Sequence, residues 1–181
     1  MLELRRKVAH LILGTCFAYV VISLPHALVV TVNLLLIAGL LVSAYLSQVH
    51  KVRFFVWLFE RFDRPSKFTA RGAVTFFVGT LAAVLLFPPF VAAISILVLA
   101  VGDAAATIAG YYAGTHKILK SKTLEGTLAF FVSTGFLLAL LIAPSTAVVI
   151  ALITALLELL TPSYIDDNLV LPVATGILLS I

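Results

Sequence analysis

Seven stretches of this chain contain no Lys, Arg, Asp or Glu: residues 8–24, 27–46, 73–87, 90–101, 127–142, 147–157 and 169–181. In lipid only a helix satisfies its own backbone polar groups, and a span takes about 20 residues. With 62% hydrophobic and 11% charged residues, the chain has too little polar surface for a soluble globule, in which about 25% of residues are charged. The expectation is an all-α, polytopic integral membrane protein with about seven transmembrane helices in a single domain over residues 1–181. Stretches shorter than a perpendicular span borrow flanking residues, and the fourth is expected to continue past Asp103 to about Tyr112. Cys16 is the single cysteine, which excludes a disulfide framework and a thiolate metal site.

Pro25, Pro88-Pro89, Pro144 and Pro162 separate the stretches, because a missing N–H and a fixed φ end or kink a helix. Arg5-Arg6-Lys7 precede the first stretch as they would in a signal peptide. No A-x-A-like cleavage site follows, so a permanent helix is expected. If each segment crosses, all 12 Lys and Arg residues fall on one side, which the positive-inside rule makes cytoplasmic, with the N-terminus in. All eight acidic residues belong to that face or dip into the bilayer from it. A basic surface of this kind suits anionic headgroups or a phosphorylated substrate, not nucleic acid. Residues near 50–70 mix Phe54, Phe55, Trp57, Leu58, Phe59 and Phe62 with charges. That pattern predicts an amphipathic helix lying in the cytoplasmic interface, with Arg64, just before Pro65, as its least routine cation.

Asp103 is the sharpest chemical signal, since a carboxylate inside an apolar helix costs about 2.5–3.5 kcal/mol on insertion scales. Gly102, Ala106, Gly110 and Gly114 place small residues every four positions beside it. Such a stripe serves close packing within the chain or a homodimer interface. The loop 114–126, GTHKILKSKTLEG, carries Lys117, Lys120, Lys122, Thr123 and Glu125 between glycines. Lysines, hydroxyls and backbone N–H groups ahead of a helix suit a polyphosphate, and a positive-inside loop is the plain alternative. At the N-terminus Glu3, Lys7 and His10 share one helical face, with Arg6 adjacent to His10. Glu158 and Asp166-Asp167-Asn168 offer the hard oxygens that Mg²⁺ takes when it is shared with a nucleotide, although one of the last three is expected to cap the final helix.

These residues carry a resemblance. Glu3-Leu-Arg-Arg-Lys7-Val-Ala-His10, Gly102-Asp103-Ala-Ala-Ala with Gly110 and Gly114, Lys122-Thr-Leu-Glu125-Gly126, Glu158, and Asp166-Asp167-Asn168-Leu-Val-Leu-Pro172 resemble the polyprenol kinase group. That group comprises dolichol kinases, phytol kinases and CTP-dependent diacylglycerol kinases of the phosphatidate cytidylyltransferase-like membrane superfamily. The resemblance implies a transmembrane catalytic domain facing the cytoplasm, in a cytoplasmic or endoplasmic-reticulum-type membrane. It implies transfer of the γ-phosphoryl group of CTP to a lipid alcohol in the bilayer, an isoprenoid alcohol or diacylglycerol, with Mg²⁺. It further implies catalytic roles for Asp103, Lys7, His10 and Glu158, and nucleotide contacts from Arg6, Lys117, Lys120, Lys122, Thr123, Glu125 and Gly126. Metal ligation would fall to Asp103, Glu158, Asp166, Asp167 and Asn168. A cytidylyltransferase is the nearest rival, but its usual Pro-Gly-His-Gly-Gly and Asp-Arg-x-Asp-Ser signatures are missing. A small-molecule or ion-binding membrane subunit ranks lower, because the charges reach only one face.

Overall fold

The computed structural model describes residues 2–63, 68–119, 122–162 and 165–181. Within them the protein is all-α apart from one small hairpin. The helices are α1 (Leu2–Ser23), α2 (His26–Gln48), α3 (Arg53–Phe62), α4 (Arg71–Leu86), α5 (Pro89–Tyr112), α6 (Leu124–Ala139), α7 (Pro144–Leu160) and α8 (Asp167–Ser180). Strands β1 (Lys117–Leu119) and β2 (Lys122–Thr123) pair antiparallel just before α6.

Each of the seven apolar stretches forms a helix, and the fourth runs to Tyr112 as expected. Three helices, Glu3–Ser23 within α1, α2 and α5, are long and apolar enough to cross a membrane. The apolar helices α4, α6, α7 and α8 have 16, 16, 17 and 14 residues. At about 1.5 Å per residue they are shorter than the roughly 30 Å hydrocarbon layer. Prolines set the breaks as their chemistry requires. Pro25 and Pro88 are the N-caps of α2 and α5, and Pro89 and Pro144 occupy the first helical turn, where no N–H is needed.

The centre of the molecule is α5. Its residues Ala92, Ala93, Ile96, Val98, Leu99 and Ala100 are completely buried, and it packs against α1, α4, α6 and α8. Small residues allow these approaches. A Cβ on Gly102 would lie 2.6 Å from the Phe130 ring and 2.7 Å from Thr134 Cγ2, and one on Gly126 would lie 2.9 Å from the Ala106 carbonyl. Gly102 and Ala106 of the small-residue stripe thus serve the α5–α6 contact inside the chain. On the far side α8 closes on α4 by a different device. Pro172 lies inside α8 and has no N–H to give the Asn168 carbonyl four residues earlier. That oxygen sits against Gly79 of α4, where any Cβ would collide with it.

Away from the core, large apolar side chains cover the outside: Tyr19, Leu35, Leu86, Val132, Phe136 and Leu152 are all exposed. A belt of this extent needs an apolar surrounding. Inside the bundle, the buried Asn33 and Thr80 share a hydrogen bond of 3.0 Å between α2 and α4. The sequence-predicted amphipathic helix near 50–70 is α3, ten residues long, with none of them buried. Arg64 and Lys67 lie outside the described residues.

Candidate functional site

The first turns of α1, the second half of α5, strand β2, the end of α7 and the start of α8 meet in one charged cluster. Lys7 Nζ donates to Asp103 Oδ2 in an ion pair between side chains that are 11% and 9% exposed. His10, one turn further along α1, holds Nε2 at 3.9 Å from the same carboxylate oxygen. Its ring stands edge-on to Phe76 of α4 with centroids 4.6 Å apart, so an aromatic wall fixes its orientation. Arg6 pairs with Glu3 at 2.8 Å on the same helix.

The second half of the cluster is built around Lys122. Its ammonium lies 2.9 Å from Glu158 Oε1 and 3.2 Å from Asp167 Oδ2, and it also donates to the Glu158 backbone carbonyl. That carbonyl belongs to the last turn of α7, where unpaired acceptors and the helix dipole favour a cation. The two halves are electrostatically continuous. Asp103 acts on Glu158 and on Asp167, Lys7 acts on Asp167, and Asp166 acts on His10.

Three buried polar atoms in this region have no hydrogen-bond partner among the described residues: Arg6 Nε, His10 Nε2 and Asp167 Oδ1. Leaving such a group unsatisfied costs about 1–3 kcal/mol, so each needs an explanation, and a binding or catalytic role is a common one. Among the described residues no three of His, Cys, Asp and Glu are arranged to hold a metal ion. Each of the carboxylates Asp103, Glu158 and Asp167 faces a lysine instead.

Several residues expected to grip a nucleotide have local work. Thr123 caps α6, its hydroxyl accepting from Gly126 N at 3.1 Å. Gly126 is needed for the approach to Ala106. Glu125 clasps the loop: its Oε1 accepts from Thr115 Oγ1 at 2.7 Å and Thr115 N at 3.1 Å, and pairs with His116 Nδ1 at 2.8 Å. Hydrogen bonds from Thr115 first and His116 second hold this carboxyl well below the usual glutamate range. Lys117 is exposed on β1, and Lys120 lies outside the described residues. At α8, Asp166 is the cap that was expected of one of the three, its side chain accepting from Asn168 N at 3.2 Å. Asn168 points its amide nitrogen at Gly72 O, 3.2 Å away, and so ties α8 to α4.

Thr115, His116 and Phe76 were not singled out in the sequence. His116 and Thr115 precede Glu125 by nine and ten residues with a hairpin between them, a spacing that no helical period marks. Phe76 reads as one more apolar residue of α4. Over 174 residues the chain is 30% identical to an uncharacterized protein of Methanocaldococcus jannaschii, an alignment covering 95% of this chain and 90% of that one. No family model and no solved structure matches. With that identity over nearly the whole of both proteins, the chain belongs to the same family as the Methanocaldococcus jannaschii protein.

Proposed function

We propose that this protein is a polyprenol-kinase-like membrane enzyme, a CTP- and Mg²⁺-dependent lipid kinase. It would phosphorylate the hydroxyl of an isoprenoid alcohol or diacylglycerol. The observation that carries the reading is the convergence of Lys7, His10, Asp103, Lys122, Glu158 and Asp167 from five separate elements, with unpartnered polar atoms among them. Phosphoryl transfer asks a protein mainly for positioned cations and carboxylates, and that is the inventory here. In this reading α1, α2 and α4–α8 are seven spans, with the shorter helices reaching the interface through flanking residues. The N-terminus, the hairpin and the cluster face the cytoplasm, and α3 lies in the interface.

The ion pairs describe a resting state. Unpaired charges are costly in apolar surroundings, so each lysine is held by a carboxylate until a triphosphate competes for it. Lys7 and Lys122 then turn to the phosphates, Arg6 neutralises charge that develops in the transition state, and His10 offers a hydrogen bond from its ring. The lipid hydroxyl oxygen attacks the γ-phosphorus while the bond from that phosphorus to the β-bridging oxygen breaks and CDP leaves. The hydroxyl proton passes to Asp103. Asp167, with a buried and unpartnered Oδ1, and Glu158 beside it are the fitting ligands for a nucleotide-borne Mg²⁺, since this ion needs only one or two carboxylates beyond the phosphates. When bound, the ion would neutralise phosphate charge.

The test is label transfer by the purified protein with Mg²⁺, a panel of lipid alcohols, diacylglycerol and phosphatidate, and CTP labelled at the α or γ phosphate. The γ label should move to a lipid alcohol. Movement of the α label to lipid, with release of pyrophosphate, would make the protein a cytidylyltransferase, and no transfer from CTP or ATP would end the enzymatic reading. A cysteine-accessibility scan in a Cys16→Ser background checks the topology, which fails if position 117 or 166 labels from outside.

A further inference from the structure

A second meeting of cations, an aromatic ring and a hollow lies away from this cluster. Gln48, Lys51, Arg53, Val56, Trp57 and Glu60 help to line a cleft of about 400 Å³ between the end of α2 and the outer face of α3. Lys51 and Arg53 are exposed, and neither has an ion-pair partner among the described residues. Lys51 adopts φ 50°, a left-handed conformation uncommon for a residue other than glycine. The turn that holds it is braced from α2, where Gln48 Nε2 donates to Thr69 Oγ1 at 2.8 Å. Trp57 and Phe54 are more than half exposed on the same helix, and their rings stack with centroids 6.4 Å apart.

We propose that this cleft is a binding site for the headgroup of an anionic phospholipid. Two cations and one carboxylate leave a single net positive charge, which matches the one negative charge of a phosphodiester and disfavours a dianionic free phosphate. The guanidinium of Arg53 and the ammonium of Lys51 supply donors to the phosphodiester oxygens. Trp57 supplies the amphipathic ring that settles at headgroup depth, and Phe54 continues into the acyl region. Glu60 lies opposite as an acceptor for a headgroup hydroxyl. This site rests on the interfacial placement of α3 and not on the kinase reading.

Trp57 is the single tryptophan of the chain, so its fluorescence reports on this cleft alone. Protein is reconstituted in phosphatidylcholine nanodiscs containing a rising fraction of phosphatidylglycerol, with brominated acyl chains on one lipid or the other. Brominated phosphatidylglycerol should quench Trp57 as if enriched about fivefold over random mixing, equivalent to about 1 kcal/mol. The enrichment should vanish in the Lys51→Gln/Arg53→Gln variant, while quenching by brominated phosphatidylcholine rises to its bulk share and shows α3 still seated. Quenching that follows the bulk fraction in the unmodified protein, or enrichment that survives in the variant, overturns the site. So does an equal response to inorganic phosphate. Absence of quenching by either lipid overturns it through the placement of α3, and leaves the label-transfer result untouched.

Discussion

Replacing Lys122 with Met should have two effects that a second substitution separates. Lys122 Nζ stands 2.9 Å and 3.2 Å from the Glu158 and Asp167 carboxylates, whose side chains are 9% and 25% exposed. At an effective dielectric of about 20, each attraction is roughly 5 kcal/mol before desolvation is counted. Desolvation of three charged groups offsets most of that sum, so the net worth of the cluster is small. Removing only the cation leaves one buried and one part-buried carboxylate uncompensated, and breaking such a pair costs about 3–5 kcal/mol. Equilibrium unfolding in mixed micelles should show a loss of that size for Lys122→Met. The triple variant Lys122→Met/Glu158→Gln/Asp167→Asn should recover at least about 2 kcal/mol of it, because no unpaired charge remains. Activity should behave differently. Lys122→Met should lower kcat/KM for CTP by about 100-fold, the usual size for one lost charge-stabilising donor, and the triple variant should regain none of it. Costs that add to within about 0.5 kcal/mol would refute the cluster as one electrostatic unit. Unchanged kinetics in the single variant would return Lys122 to a topological role.

Asp103→Asn should abolish turnover while the protein still inserts and folds when Lys7→Met is added to remove the stranded ammonium; a turnover near that of the unmodified protein would take Asp103 out of the mechanism. Gly102→Ala should cost about 1–3 kcal/mol in the same unfolding assay because its methyl meets Phe130 and Thr134, whereas Gly39→Ala, with nothing within 4 Å of the added carbon, should not destabilise; equal effects would refute the α5–α6 approach. The Glu125 carboxyl is held below its ordinary value of 4.5, so its clasp is fully formed above that value and is lost only as pH falls toward the lower folded one. Amide protection of Thr115 and His116, followed by hydrogen exchange, should therefore persist from neutrality down past pH 4.5. It should already be missing at neutral pH in Glu125→Gln.

The helices were legible because their signal is one-dimensional. Seven charge-free runs became seven helices, and Pro25, Pro88, Pro89 and Pro144 fell at N-caps or in first turns, since an apolar run and the missing proline N–H act on local sequence alone. The burial of Asp103 was legible for the same reason. Its partner was not, because nothing periodic links residue 7 to residue 103. The same holds for residues 122, 158 and 167, which meet only when α6 and α7 fold back. Read along the chain, lysines group with lysines and acids with acids, which is why the loop was assigned to phosphate and the C-terminal acids to metal.

Folding into an apolar medium sorts charges by the opposite rule. A cation that must leave water needs an anion wherever the chain can bring one, so the cations of one sequence cluster are neutralised by the acids of another. Lys7 with Asp103, and Lys122 with Glu158 and Asp167, are that rule applied twice within one cluster. Residues with backbone work, Thr123, Gly126, Asp166 and Asn168, then hold the elements at the spacing these pairs require. A pairing that neutralises charge in the absence of substrate also places two ammonium groups where a polyanion can exchange one set of oxygens for another. The folding solution and the proposed binding solution are therefore the same set of side chains. A variant that repairs stability by removing both signs of charge should, on that account, be well folded and inactive.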